Sequence, residues 1–358
     1  MRARARTPLD PLPVSEALAG QAPARAVPAL AGASPWKLAR RRLRRNRIAM
    51  TMLGVLAVIF VLSLAAPLYA EHVAHARPFT SNLDGTTVVD GKTVPVMQPE
   101  SGGLGLGVTP IGPTWDPQHY LLGADNQGRD VAARLLYGGR NSLLIGLAAA
   151  FLTCVLGTVI GLVAGFFGGV TDGVLSRLLD VVWAFPVYLL AISLSTVLLT
   201  SGFSVGPLRV ESGSLLLPIL IIGSVFLPYV ARPIRAEVLS LRRSEFVEAA
   251  TGLGASNLRL LRSEILPNVI TIVIVFFPIM MAIAMLTEAA LSFLSIGVQP
   301  PEASWGTIIL DGQGLLYTRP TVAIAPGIAI ALTVLALNVL GDGIRDALDP
   351  RAKLRGVA

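Results

Sequence analysis

Six long apolar runs alternate with shorter polar stretches along the chain. The runs are Ile48 to Ala70, about Ser142 to Phe167, about Val174 to Leu199, Leu215 to Ala231, about Val269 to Phe293, and Thr321 to Leu340. Each is close to the ~20 apolar residues that a helix needs to cross a bilayer, so the pattern predicts an all-α, polytopic membrane protein with six transmembrane helices. Pro186, Pro218, Pro228 and Pro278 fall inside these runs and mark places where the helices can bend. In the second helix Gly157, Gly161 and Gly165 recur every fourth residue, a small-residue face that predicts close packing against another helix. The external connection from Leu294 to Pro320 holds Trp305 and Asp311; it is too polar to span and apolar enough to dip back into the mouth of the bundle.

The polar stretch between the fourth and fifth runs has a pattern of its own. Residues 244–268 read SEFVEAATGLGASNLRLLRSEILPN. Ser244 can cap a helix on which Phe246, Ala249, Ala250 and Leu253 share a face, with Gly254 ending it. A second short helix would place Leu258, Leu261 and Ile265 together before Pro267 closes the segment. Helices of about ten residues are marginal alone in water, so this pair needs a surface to lie against. Ala249, Ala250 and Gly254 would allow close approach to it. From the pattern alone that surface is either another protein or the bilayer itself.

Composition agrees with a membrane protein: 53% of the 358 residues are hydrophobic and 14% charged, with a mean hydropathy of +0.67. The formal charge of +7 is unevenly spread. Residues 1–47 hold eleven of the 29 Lys and Arg but only Asp10 and Glu16 of the 22 acidic residues, leaving 18 bases against 20 acids elsewhere. Such a distribution fits a basic arm at an anionic cytoplasmic membrane face and argues against nucleic-acid binding, which needs a folded basic surface. Residues 1–33, rich in Ala, Pro and Arg without apolar periodicity, are predicted to be a disordered arm. Lys37 and six arginines between residues 40 and 47 directly precede the first run and predict a cytoplasmic amino terminus. At 23 residues that run is long for a signal-peptide core and argues against a twin-arginine signal, so an uncleaved first helix is expected. Residues 232–264 carry six arginines and four glutamates, and Arg351, Lys353 and Arg355 follow the sixth run; both stretches are predicted to be cytoplasmic. Arg129, Arg134 and Arg140, in an interfacial amphipathic segment from Leu122 to Leu144, oppose that rule, with Asp125 and Asp130 offsetting part of their charge. The single Cys154 excludes an internal disulfide.

Candidate chemistry is sparse. Gly91-Lys92-Thr93 ends like a phosphate-binding loop, but Thr86 stands where that loop requires glycine and Gly85 misses by one, so no nucleotide site is expected. His72 and His75 beside Glu71 lack further clustered ligands and are expected to be solvated. Arg177 and Asp180, three apart, can pair near the interface. Glu288 is an ionisable residue on a spanning helix and hence a functional candidate, but it lies about 30 Å along from Asn268, near the outer edge, which favours a structural role. A secondary transporter would be expected to place ion-coupling acids at mid-depth, or paired broken helices in two related halves, and Asp180 and Glu288 sit near edges.

Glu248-Ala249-Ala250, Gly254 and Ile265-Leu266-Pro267 resemble the EAA loop of ABC-importer permeases, by which the membrane subunit docks on its ATPase. Glu264 departs from the general form, which has an apolar residue there, in the manner of the peptide-importer branch. The basic stretch before the first run, LGADNQGRD at 122–130, LSFLSIGVQPPEASWG at 291–306 and NVLGDGIRDALDP at 338–350 extend the resemblance over residues 36–355, and it is closest to the second permease subunit of dipeptide/oligopeptide importers. The resemblance implies the type I importer-permease fold and half of a translocation pathway in a prokaryotic inner membrane, with both termini cytoplasmic. It implies a related second permease subunit, one or two ATPases that carry ATP and magnesium, and an extracytoplasmic binding protein. No catalytic residue or cofactor is expected on this chain. Importers of nickel or other small solutes share these features. The organisation expected is a basic arm (1–35), the basic stretch and first helix (36–70), an outer loop (71–140), a five-helix core (141–345) with its docking loop at 237–268, and a tail (346–358). Glu288, Trp305 and Asp311 are the candidates for the pathway or its mouth.

Overall fold

The computed structural model describes residues 35–349 apart from 90, 100–106 and 207. The expected arm, up to residue 34, and the end of the tail, from 350, lie outside the described residues.

A basic helix α1 (Pro35–Arg45) leads into α2 (Arg47–Leu64) and the short α3 (Ala66–His72). Asn46 separates α1 from α2 and caps the latter, its Oδ1 accepting from the Ala49 amide at 3.1 Å. The run expected as one helix to Ala70 therefore breaks at Ala65, where Pro67 enters the first turn of α3 and has no N–H to continue the ladder. Residues 86–110 carry two small antiparallel hairpins, β1 (Thr86–Val89) with β2 (Lys92–Pro95) and β3 (Met97–Pro99) with β4 (Val108–Pro110). Gly91, at φ +74°, makes the turn between β1 and β2, which is where the false phosphate-loop ending falls.

The central element is α4 (Val131–Phe167), 37 residues and hence about 55 Å long, well beyond a bilayer core. Its length corrects the expectation of an interfacial segment followed by a helix from Ser142: Asp130 caps a single helix, Oδ1 accepting from the Ala133 amide at 2.7 Å. Next come α5 (Gly169–Ala184) and α6 (Val187–Ser201), bent by 89°. Phe185, ahead of Pro186, has φ −90° and ψ 139°, the extended geometry that a following proline enforces, so the third run folds into an elbow. A third hairpin, β5 (Phe203–Val205) with β6 (Leu208–Val210), leads to α7 (Leu216–Val225) and α8 (Leu227–Leu241), bent by 42° where Pro228 opens the second helix. The fourth span thus runs ten residues beyond its expected end at Ala231.

After α9 (Glu245–Gly252), the short α10 (Asn257–Arg259) passes through a π-helical stretch, Leu260–Ile265, into α11 (Leu266–Phe293). Pro267 was expected to close the segment. It instead sits in the first turn of α11, and the wider π turns precede it where its missing N–H interrupts the ladder. Beyond α11, α12 (Trp305–Gly312) forms inside the 294–320 connection, its start fixed by reciprocal hydrogen bonds between Ser304 and Thr307. The last helix, α13 (Thr321–Leu348), continues eight residues past its expected end.

Among the described residues four helices are long and apolar enough to cross a membrane, and the crossings number six with each bent pair taken as one span. The core forms where α4 meets α8 and α11, with α13 against α11 and α2 against α13 and α4. Gly157, Gly161 and Gly165 all face α8: a Cβ on them would fall 2.8 Å from Val230 Cβ, 2.6 Å from the Ala231 carbonyl oxygen and 2.8 Å from Val238 Cβ. No side chain fits there. Alternation of the crossings gives the bundle a hairpin end, with residues 71–130, and a connector end, with residues 242–265.

Candidate functional site

At the connector end, α9 and the stretch that follows it form a folded surface segment. Val247, Leu260 and Ile265 are its inward anchors, at 3%, 4% and 0% exposure. The faces differ from those expected. Phe246, Ala249, Leu253 and Leu258 point away from the bundle, Leu253 being 90% and Leu258 74% exposed, while Ala250 and Leu261 are half-buried. On α9, Phe246, Ala249 and Leu253 of the expected shared face are left without cover and Val247 takes the inward position, whereas Leu258, Leu261 and Ile265, expected together, divide between outside and inside. Glu248, Gly254 and Pro267 are exposed and Leu266 half-buried, so the EAA-like residues straddle the surface, with Ile265 beneath them. Gly254 has φ +82°, in the left-handed region that favours glycine, and thereby turns the chain between α9 and α10. A cleft of about 420 Å³ separates this segment from the end of α4, lined by Phe166, Phe167, Arg242, Val247, Glu248 and Asn257 among others.

Two ion pairs strap α5 to α8, the helix that leads directly into this segment. The Arg235 guanidinium donates to both carboxylate oxygens of Asp172, at 2.5 and 2.6 Å, and Arg232 donates to Asp180 at 2.6 Å while lying 4.6 Å over the Trp183 ring. Arg177 reaches Asp180 only at 3.9 Å, so the pair expected within α5 is secondary to one between helices. The signal for it was present: Asp172 and Asp180, two turns apart, lie on one side of a helix.

At the hairpin end a cluster of polar groups is buried and largely paired, although Nε and Nη1 of Arg134 have no hydrogen-bond partner. Arg129 donates to Asp125 at 2.7 Å and to Asp311 at 2.9 Å, and Arg134 donates to Asp311 at 2.7 Å. Asp125, Arg129 and Arg134 are at most 8% exposed and Asp311 is 25% exposed. Asn141 donates to Glu302 and to the Ala303 carbonyl, both at 2.8 Å. Glu288 is fully buried and accepts from the hydroxyls of Ser142 at 2.9 Å and Ser292 at 2.7 Å. Trp305, 2% exposed, donates its indole N–H to the Leu135 carbonyl at 2.9 Å. Of the three residues expected at the mouth, Glu288 and Trp305 thus lie inside the packing between α4, α11 and α12, and Asp311 lines a cleft of about 560 Å³ at its edge. Asp130 is 3% exposed, and burial pushes its carboxyl up to about 6, with Asp125 adding to the shift and the amides of Ala133 and Ala132 opposing it.

Comparison with known proteins adds the following. The family described as the binding-protein-dependent transport system inner membrane component matches residues 157–354, and the N-terminal transmembrane domain of oligopeptide transport permease C matches residues 34–84. A putative peptide transport system permease protein of Brucella abortus is 36% identical over 325 residues, covering 91% of this chain and 95% of the relative. The glutathione transport system permease protein GsiD of Escherichia coli is 34% identical over 321 residues, 89% of this chain and 92% of the relative. Among solved structures, an inward-facing conformation of the MetNI methionine ABC transporter aligns with 60% of this chain and 96% of its own, at 18% identity and a TM-score of 0.48.

Proposed function

The chain belongs to the family of binding-protein-dependent transport system inner membrane components and is a membrane permease component of an ABC importer. From that premise we propose that it forms half of a translocation pathway for dipeptides or oligopeptides, driven by separate ATPase subunits that dock on residues 245–267. The relatives named for peptide and glutathione transport support a peptidic solute. The pathway is completed by a second, related permease subunit and supplied by an extracytoplasmic binding protein. The connector end faces the cytoplasm of a prokaryotic cell, as do both termini, in line with the six arginines of residues 232–264.

The observation that carries the docking assignment is the uncovered apolar face of Phe246, Ala249, Leu253 and Leu258 on short helices that are marginal without a partner. Glu248 lies on the exposed side of the same helix, and Gly254 sets the turn that presents both pieces together. Gly157, Gly161 and Gly165 hold α4 against α8, so force on the docking segment is passed along α8 into a helix that spans the whole membrane. Glu288 and Trp305 hold the outer loop in place, and Asp311 borders the mouth.

The test is Glu248→Lys and, separately, Gly254→Asp, scored for membrane insertion, co-purification with the co-expressed ATPases, and peptide uptake. Normal insertion is expected in both, with uptake lost and co-purification weakened, because a reversed charge or a strained turn spoils the docking surface. Normal uptake in both variants would overturn the assignment.

A further inference from the structure

The first described helix carries a charged face that forms no ion pair among the described residues. Lys37, Arg40, Arg41, Arg44 and Arg45 stand at i, i+3, i+4, i+7 and i+8, one stripe of a helix, and all five are exposed. Together they line a shallow groove along α1. Leu38, Ala39, Arg42 and Leu43 are half-buried on the other side. There Leu43 lies against Gly343 of α13, 3.5 Å from where that residue's Cβ would be, and Arg42 donates to the Asp349 carbonyl at 2.9 Å. The apolar side of α1 is thus already taken by the bundle, and α1 does not lie apolar-face-down in lipid as an ordinary surface helix does.

Among the described residues none of the five cations forms a salt bridge. Like charges three and four residues apart repel modestly along a helix, and an anionic counter-surface relieves that repulsion. The position of this face says which kind. One residue, Asn46, separates α1 from α2, whose outward side starts at once with Ile48, 66% exposed. Helix α1 is about 17 Å long, so its cations stand beside the point where the first span enters the bilayer, at the level of the headgroups. Trp36, half exposed at its far end, is the residue type that settles in that layer. Four of the five are arginines, whose planar forks suit phosphate oxygens.

We propose that the Lys37/Arg40/Arg41/Arg44/Arg45 face of α1 is a binding surface for anionic phospholipid headgroups of the leaflet at the connector end. Through Arg42 and Leu43 the bound lipid also holds the end of α13. The cytoplasmic location of that leaflet rests on the orientation given under Proposed function; binding of lipid to the face does not.

The full-length chain, purified with its co-expressed partners, is placed in nanodiscs of phosphatidylcholine with 20% phosphatidylglycerol. The phosphatidylglycerol that stays bound through detergent exchange is counted by mass spectrometry. Changing all five cations to Gln is expected to lower retained phosphatidylglycerol at least threefold, whereas changing the four arginines to Lys retains most of it. Thermal midpoints of both variants check the fold, and if the five-Gln chain fails it, Arg40→Gln with Arg44→Gln is used, with a proportionate loss expected. Unchanged retention in folded Gln variants overturns the proposal. So does displacement of the lipid by millimolar inorganic phosphate, which would mark a generic anion site. Loss of the ATPases with lipid retention unchanged would assign the face to an acidic protein surface instead. Orientation is read separately, from labelling of a single cysteine at Ser256 in a Cys154→Ala background with an impermeant reagent on intact cells. Labelling there would overturn the cytoplasmic placement and leave the lipid measurement standing.

Discussion

The two ends of the bundle solve opposite problems. At the hairpin end charged and polar groups are buried and find partners within the chain: Asp125 with Arg129, Asp311 with Arg129 and Arg134, Glu302 with Asn141, and Glu288 with two serines. At the connector end large apolar side chains stand in the open, with Leu253 90% and Leu258 74% exposed, and the cations of α1 form no salt bridge among the described residues. Burial of charge is tolerated only with near-complete pairing. Exposure of contiguous apolar surface outside a bilayer marks a site of association. The buried charges of one end are therefore partnered largely within the fold, whereas the apolar side chains of residues 246–258 at the other are left for a partner to cover. On the function proposed above this division serves transport, because a rigid mouth and an adaptable coupling surface must work on the same helices.

The largest expected effect comes from breaking the hairpin end. Arg134→Ala takes one of two cations from the partly exposed Asp311 and empties the space of a buried side chain, and we expect a loss of about 3 kcal/mol, read as a lower thermal midpoint of the detergent-solubilised chain. Leu253→Ser with Leu258→Ser should leave that midpoint within about 0.5 kcal/mol while weakening co-purification with the ATPases. Equal destabilisation in both experiments would erase the contrast between the ends.

A smaller effect separates two kinds of glycine. Gly161→Leu drives a side chain into the Ala231 carbonyl and Ile234, and should cost about 1–3 kcal/mol with loss of packing between α4 and α8. Gly254 has open space around its Cβ position, so Gly254→Ala is resisted by its φ of +82° alone and should cost about 1 kcal/mol. Gly254→Asn should be milder than Gly254→Ala, and Gly161→Asn no milder than Gly161→Leu. The reverse order would show that the constraints had been assigned to the wrong glycines.

Much of this was legible in the sequence because the bilayer imposes a long, simple period. The six runs, the glycine spacing and the EAA-like residues are local signals, readable without knowing what lies opposite. What was hidden depended on partners remote in sequence. The 89° elbow needed the geometry forced on Phe185 by Pro186, where the sequence predicted only a bend. Arg129 and Arg134, which had opposed the charge rule, are taken up by Asp125 and by Asp311, nearly 180 residues away, so their charge never meets the membrane surface as a free excess. The inward anchor of α9, Val247, was also hidden, because an apolar residue beside the expected stripe of Phe246, Ala249 and Leu253 is told from it only by the tertiary structure.

The last and smallest test returns to the hairpin end, at Asp130. Burial raises its carboxyl to about 6, with the charge of Asp125 adding to the shift, even though the Ala133 amide that it caps pulls the other way. An acid whose folded value lies above its unfolded one stabilises the fold fully below the unfolded value, near 3.8, and loses that contribution as pH rises through about 6. At pH 7.5 the wild type therefore carries a cost of about 1–2 kcal/mol that it does not carry at pH 5. Asparagine caps a helix as well as aspartate does and has no charge to bury. Asp130→Asn should thus be the more stable protein at pH 7.5, and the difference should shrink as pH falls to 5. The difference between the two pH profiles, rather than either profile alone, isolates Asp130. Parallel profiles would mean that the ionised carboxylate is fully compensated where it sits, and that this end of the bundle is even more completely paired than its hydrogen bonds indicate.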